Sequence, residues 1–255
     1  MIEKSAETRL IAIASGKGGV GKTWLAITLA QALSRMGRRV LLFDGDLGLA
    51  NVDVQLGLLA AHDLGAVIAG RVTLAQAVER HADGGFDVVA GQSGSGALST
   101  LEPGELDRAL VGLRRASSAY DCVLMDLGAG VESGVRRMAA AAGLLIVVAT
   151  EEPTSLTDAY AVLKLHKADR PDGKACVVVN QATTQTAGER TYATLRQACV
   201  TFLRREPALA GVIRRDDRVR DAIRRQTPLL TRHPTRAAAA DVEALAAWLA
   251  DAGAA

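Results

Sequence analysis

Residues 16–23 read Gly16-Lys17-Gly18-Gly19-Val20-Gly21-Lys22-Thr23, just after an apolar run and just before a stretch with helical spacing. The octet fits G-x-x-x-x-G-K-[ST], a phosphate-binding loop set between a strand and a helix. Its glycines let backbone amides turn inward and approach phosphate oxygens without a side chain intervening. The helix N-terminus that follows adds partial positive charge. Lys22 is placed to reach the β- and γ-phosphates, and the Thr23 hydroxyl to ligate Mg²⁺. The nucleotide-binding set read here is Gly18, Gly19, Val20, Gly21, Lys22, Thr23 and Trp24.

The alternation of strand and helix continues outward from the loop. Short apolar runs fall at 10–14, 40–43, 86–90, 122–125, 144–149, 175–179 and 209–213. Uninterrupted runs of this length suit strands covered on both faces, as in a parallel sheet. Helical spacing fills 24–36, 105–117, 156–166, 188–205 and 237–249, and Gly37 stands where a helix-terminating glycine belongs. The pattern predicts a single three-layer α/β/α P-loop NTPase domain with a mostly parallel sheet over 10–255, preceded by a short tail over 1–9.

Composition narrows the function. Aromatic residues are only 3% of the 255, which disfavours a stacking platform for single-stranded nucleic acid. The net charge of +2 excludes a uniformly basic coating protein. That small number hides an asymmetry: 204–236 holds ten arginines against four acids, a local +6 that leaves −4 for the rest. Cys122, Cys176 and Cys199 lack C-x-x-C spacing, which points to a reducing cytoplasm rather than zinc or disulfides. His62, His81, His166 and His233 show no metal-ligand spacing. The longest apolar run, 138–149, is shorter than the ~18 residues of a spanning helix. The glycine-serine stretch 91–99 reads as a surface loop at a strand end.

Three carboxylates stand at strand ends. Asp44 and Asp46 close the run 41–46, and Asp126 closes 122–126 ahead of Gly128-Ala129-Gly130. The C-terminal edge of a parallel sheet is where such folds bind ligands. Phosphoryl transfer to water needs Mg²⁺ neutralisation and a positioned nucleophile. Asn180 closes the run 176–179, and its amide can both donate and accept hydrogen bonds. No Asn-Lys-x-Asp guanine-reading motif is present, which favours ATP over GTP.

The second lysine of the loop, Lys17, makes the octet similar to the deviant phosphate loop K-G-G-x-G-K-T of the MinD/ParA ATPases. That resemblance covers residues 10–249. It implies that Lys17 reaches across a dimer to the partner's nucleotide, and that Lys17, Lys22 and Asp46 form the catalytic set. Asp46 matches the family's water-positioning aspartate. Asp126 resembles the Walker B aspartate that holds Mg²⁺ with Thr23, and Asp44 is the preceding acid beside the metal. Asn180 is placed to contact adenine, so the implied ligands are ATP, ADP and Mg²⁺. Relatives carry Ile-Pro-x-Asp beside the base; here the segment is Ile213-Arg214-Arg215-Asp216, with Arg214 in the proline's place.

Within that family the chain resembles the FlhG (FleN) branch, which regulates flagellar number and position. The stretches that carry this are 46–54, 152–160 and 219–228. The branch implies a slow ATPase that forms an ATP-dependent homodimer, in the cytoplasm and at the cell pole. Its implied partners are the flagellar GTPase FlhF, flagellar switch components or a flagellar transcription activator. The tail 1–9 lacks the Asp-Gln-Ala activator segment through which many such proteins stimulate FlhF. The last segment, 237–255, carries Asp241, Glu243 and Asp251 but no Lys or Arg. A helix on anionic lipid carries cations on its polar face, so membrane binding is expected to be weak and Leu245, Trp248 and Leu249 to be core contacts. The alternative is a ParA-like partitioning or positioning ATPase that contacts DNA through the 204–236 arginines.

Overall fold

The structure, a computed structural model, describes residues 10–91 and 103–252. The expected tail 1–9 and all but the first residue of the loop 91–99 lie outside the described residues.

Strand β1 (Leu10–Ser15) leads into the phosphate loop and runs in the middle of the sheet. Leu10, Ala12 and Ala14 enter one apolar core while Ile13 enters the other. Burial on both faces is the reason the run has no polar alternation. The elements that follow are α1 (Lys22–Arg35), β2 (Val40–Gly45), α2 (Val52–Leu56), α3 (Leu64–Ile68), β3 (Val78–His81) and β4 (Phe86–Val89). Next come α4 (Pro103–Ala116), β5 (Cys122–Ala129), α5 (Ser133–Ala141), β6 (Leu144–Ala149), α6 (Pro153–Asp169) and β7 (Lys174–Ala182). The chain continues through α7 (Gln185–Ala198), β8 (Ala208–Arg214), α8 (Arg218–Arg224), α9 (Leu229–Arg232) and α10 (Ala237–Ala252).

The sheet order is β3-β4-β2-β5-β1-β6-β7-β8, parallel throughout except for the β3–β4 pair. Helices α4 to α7 cover one face; α1 and α10, with α8 and α9 beside them, cover the other. This is the expected three-layer α/β/α domain. Parallel strands carry their C-terminal ends to one edge. The phosphate loop, the acids after β2, Asp126 in β5 and Asn180 in β7 therefore meet there without any of them being close in sequence.

Several elements depart from the sequence reading. Strand β3 was not expected: it is an edge strand carrying Glu79 and Arg80, paired antiparallel with β4 alone. Helices α2, α3, α5, α8 and α9 were not read either; α5 ends at Ala141, just before the expected strand β6 begins at Leu144. Helix α10 buries Leu245 and Leu249 against the core, and Trp248 packs on its rim, as expected. Among the described residues no helix is long and apolar enough to cross a membrane. All three cysteines are buried, and burial pushes the Cys176 thiol up to about 12.

Candidate functional site

The phosphate loop begins at the end of β1 and closes on Gly21, whose φ of +88° turns the chain into α1. A side chain at Gly21 would stand 2.5 Å from the Asn180 Nδ2. That amide donates to the Val20 carbonyl at 2.8 Å, so β7 braces the loop from the side. The neighbouring Gln181, itself in a left-handed conformation at φ +57°, donates to the Gly19 carbonyl at 3.2 Å. Asn180 thus lies on the loop itself.

Lys22 opens α1 and is buried. Burial lowers its pKa, opposed by the charges of Asp126 and Asp46. Strands β2 and β5 place Asp44 and Asp126 side by side in register. Burial, then the Asp44 charge, push the Asp126 carboxyl up to about 7; burial pushes Asp44 up to about 6. The Thr23 hydroxyl hydrogen-bonds Asp126 and pulls the other way. Asp126 Oδ1 is buried with no hydrogen-bond partner. Two buried acids, a threonine hydroxyl and an unpartnered carboxylate oxygen fit a hard divalent cation, which would hold both acids ionised.

The two acids differ in what they are free to do. Asp44 accepts backbone amides on both oxygens: Asp46 at 3.1 Å on Oδ1, Asn51 and Val52 at 3.0 Å each on Oδ2. Beside Asp126, it therefore also organises the loop that leads into α2. Asp46 follows with Oδ1 accepting from Gly48 at 3.1 Å and Leu49 at 2.9 Å. That oxygen lies 3.2 Å from where a side chain on Gly128 would begin, so Asp46 faces the glycines after Asp126.

Lys17 does not turn into its own loop. Its Nζ lies 2.5 Å from Glu152 Oε2 and 3.1 Å from Thr154 Oγ1, at the start of α6. Trp24 is brought elsewhere than expected. Its indole is buried between α1, α2 and the segment 222–229, leaving only its backbone to the nucleotide edge. Base-side Arg214 is drawn off by Asp241, with its Nε at 2.9 Å and Nη2 at 2.7 Å from the two carboxylate oxygens. That Glu152, Thr154 and Gln181 meet the loop was not read from the sequence, although 152–160 was singled out, because each meets it across more than 130 residues.

A phosphate loop after β1, with Asp126 inside the neighbouring β5, which runs on to Ala129 rather than ending at Asp126 as expected, and Asp44 at the end of β2, defines a P-loop ATPase. The CobQ/CobB/MinD/ParA nucleotide binding domain matches residues 11–229, and the chain belongs to that family. It is 37% identical over 238 residues to the antiactivator FleN of Pseudomonas aeruginosa, covering 93% of this chain and 85% of that protein. It is 30% identical over 190 residues to the flagellum site-determining protein YlxH of Helicobacter pylori, covering 74% of this chain and 64% of that one. The septum site-determining protein MinD of Pyrococcus horikoshii, solved in complex with Mg-ADP, superposes with a TM-score of 0.78 at 27% identity, over 94% of each chain.

Proposed function

We propose that this protein is an ATP-switched regulator of flagellar number or placement, which hydrolyses ATP slowly and dimerises with ATP bound. The observation that carries the reading is Lys17: a second loop cation held at the surface by an exposed carboxylate rather than turned toward its own phosphates. A surface ion pair of this kind contributes little and opens easily. Lys17 is therefore available to a nucleotide presented by a facing copy.

ATP lies along Gly18 to Thr23 with its base toward Asn180. Mg²⁺, when bound, neutralises charge on the phosphates. Thr23 and Asp126 would hold it. Lys22 contacts the β- and γ-phosphates, Asp46 orients the attacking water, and Lys17 supports the transferred group in the partner. Asp44 positions the segment carrying Asp46. The proposed partners are the GTPase FlhF, flagellar switch components or a flagellar transcription activator, and the likeness to the antiactivator FleN supports a flagellar partner. The experiment is size measurement of Asp46→Ala with ADP and with ATP. A dimer with ATP alone, together with blocked hydrolysis, supports the switch; unchanged size or normal turnover refutes it.

A second reading is DNA contact. Arg214, Arg232 and Arg236 are held by Asp241, Asp221 and Asp216. Arg204, Arg215, Arg218, Arg220, Arg224 and Arg225 are exposed, and no ion pair holds them among the described residues. Duplex binding with ATP that weakens steeply with salt supports this reading, and none at low salt discards it.

A further inference from the structure

Helix α2 joins the acids to a segment that has so far no part in the site. Asp44 pins its N-terminal end, through the amides of Asn51 and Val52. Its other end is pinned from across the chain. Gln226, between α8 and α9, donates from Nε2 to the Val54 carbonyl at 2.8 Å. The same carboxamide covers Gly57, which ends α2: its Oε1 lies 3.0 Å from where a side chain there would begin.

Gln226 is held by the end of α8. Its φ is +50°, a left-handed conformation that a non-glycine residue keeps only where its surroundings fix it. Here its amide donates to the Ile223 carbonyl at 3.0 Å, and the Thr227 amide to Ala222 at 3.1 Å. These two bonds are the pair that closes a helix C-terminus, so Gln226 is the left-handed residue that ends α8 and its side chain is delivered to α2 from a fixed cap.

The inner face of α2 is less firmly tied. Val52 and Leu56 pack in the apolar core with Trp24 and Leu229. Trp24 Nε1 and Gln55 Oε1 line one small void together with Ile223, Thr227 and Pro228, and neither has a hydrogen-bond partner. A buried donor and a buried acceptor on facing helices, both unpaired, mark an interface with a second arrangement within reach. The polar anchor of α2 on this side is the Gln226 bond.

We propose that Gln226 is a positioning residue for ATP hydrolysis. By anchoring α2 it fixes the segment 46–51 and with it Asp46, whose Oδ1 is tied to Gly48 and Leu49. Without the anchor, α2 moves toward the Trp24–Gln55 void and Asp46 loses its aim. This rests on the reading that Asp46 orients the attacking water.

The test uses the full chain with Gln226→Gly and Gln226→Glu. Glycine suits φ +50° and keeps the fold while removing the anchor. Glutamate keeps the shape but cannot donate to the Val54 carbonyl. Both variants are expected to lose about tenfold in kcat, with KM for ATP and Kd for ADP within about twofold of the parent. Both are also expected to show faster hydrogen exchange at amides 52–57. Trp24 emission should shift in a Trp248→Phe background, where Trp24 is the sole tryptophan. Unchanged kcat in either variant overturns the proposal, and so does a fall in kcat with α2 exchange unaltered. If Asp46→Ala hydrolyses ATP normally, the underlying reading fails, while exchange and Trp24 emission still show whether Gln226 anchors α2.

Discussion

Replacing Gly21 by alanine strikes the phosphate loop at the point where its backbone and its brace coincide. Gly21 has φ +88°, and an L side chain in the left-handed region costs about 1–2 kcal/mol. The new Cβ would also lie 2.5 Å from Asn180 Nδ2. The amide must then leave the Val20 carbonyl, and losing a buried hydrogen bond costs roughly 1–2 kcal/mol more. Together these raise the binding-competent loop by about 3 kcal/mol, which is ~100-fold in Kd. The free chain escapes part of that penalty by letting the loop relax, so its Tm falls by less than the ~6–12 °C that 3 kcal/mol would give in a domain of this size. Calorimetric titration with Mg-ADP should show Gly21→Ala weakened about 100-fold. ADP binding by Gly21→Ala within threefold of the parent would refute the reasoning.

Lys17→Ala removes an exposed pair worth under ~1 kcal/mol, so Tm and ADP affinity stay close to the parent while the ATP-dependent dimer is lost. Sedimentation velocity decides it, and a persisting ATP dimer counts against the role given to Lys17. Asp241→Ala leaves the Arg214 guanidinium and backbone amide without their shared acceptor. Discounted for the exposure of Arg214, this costs about 2 kcal/mol and lowers Tm by roughly 4–8 °C, with no change expected if the pair is ornamental. His166 has its pKa lowered by burial first, then by Arg205 and Arg170. The unfolded chain binds this proton more readily, so stability is complete above pH 6.5 and is lost as pH falls from there toward the folded pKa. His166→Leu should flatten the fall of Tm between pH 7.5 and 5.5; parallel profiles for parent and variant would reject this account.

The central strands were legible because burial on both faces leaves them uninterrupted runs of apolar residues. Strand β3 was not, since an edge strand paired on one side tolerates Glu79 and Arg80 and loses the signal. Helix α5 was hidden because its apolar C-terminal turn runs almost directly into β6. Of the site, the phosphate loop could be read in one glance, being eight consecutive residues whose order is itself the geometry. Asp44, Asp46 and Asp126 could be placed toward strand ends from the residues, but their separate tasks came only from the family resemblance. That Asp44 takes up three backbone amides while Asp126 keeps an open oxygen depends on where the chain passes next.

By itself, then, the sequence determined what local backbone chemistry can determine: the glycine turn into α1, the strand periods, and acids at the right ends of the right strands. The tertiary structure alone decided how each polar group uses its hydrogen bonds. It set Lys17 against Glu152, Asn180 against Val20, the Trp24 indole away from the nucleotide edge, and Gln226 on α2. The physical reason is separation along the chain. Each of these contacts joins groups more than 130 residues apart or on different elements, and hydrogen bonds are short and directional. Their partners emerge only once the sheet has brought its strand ends to a common edge.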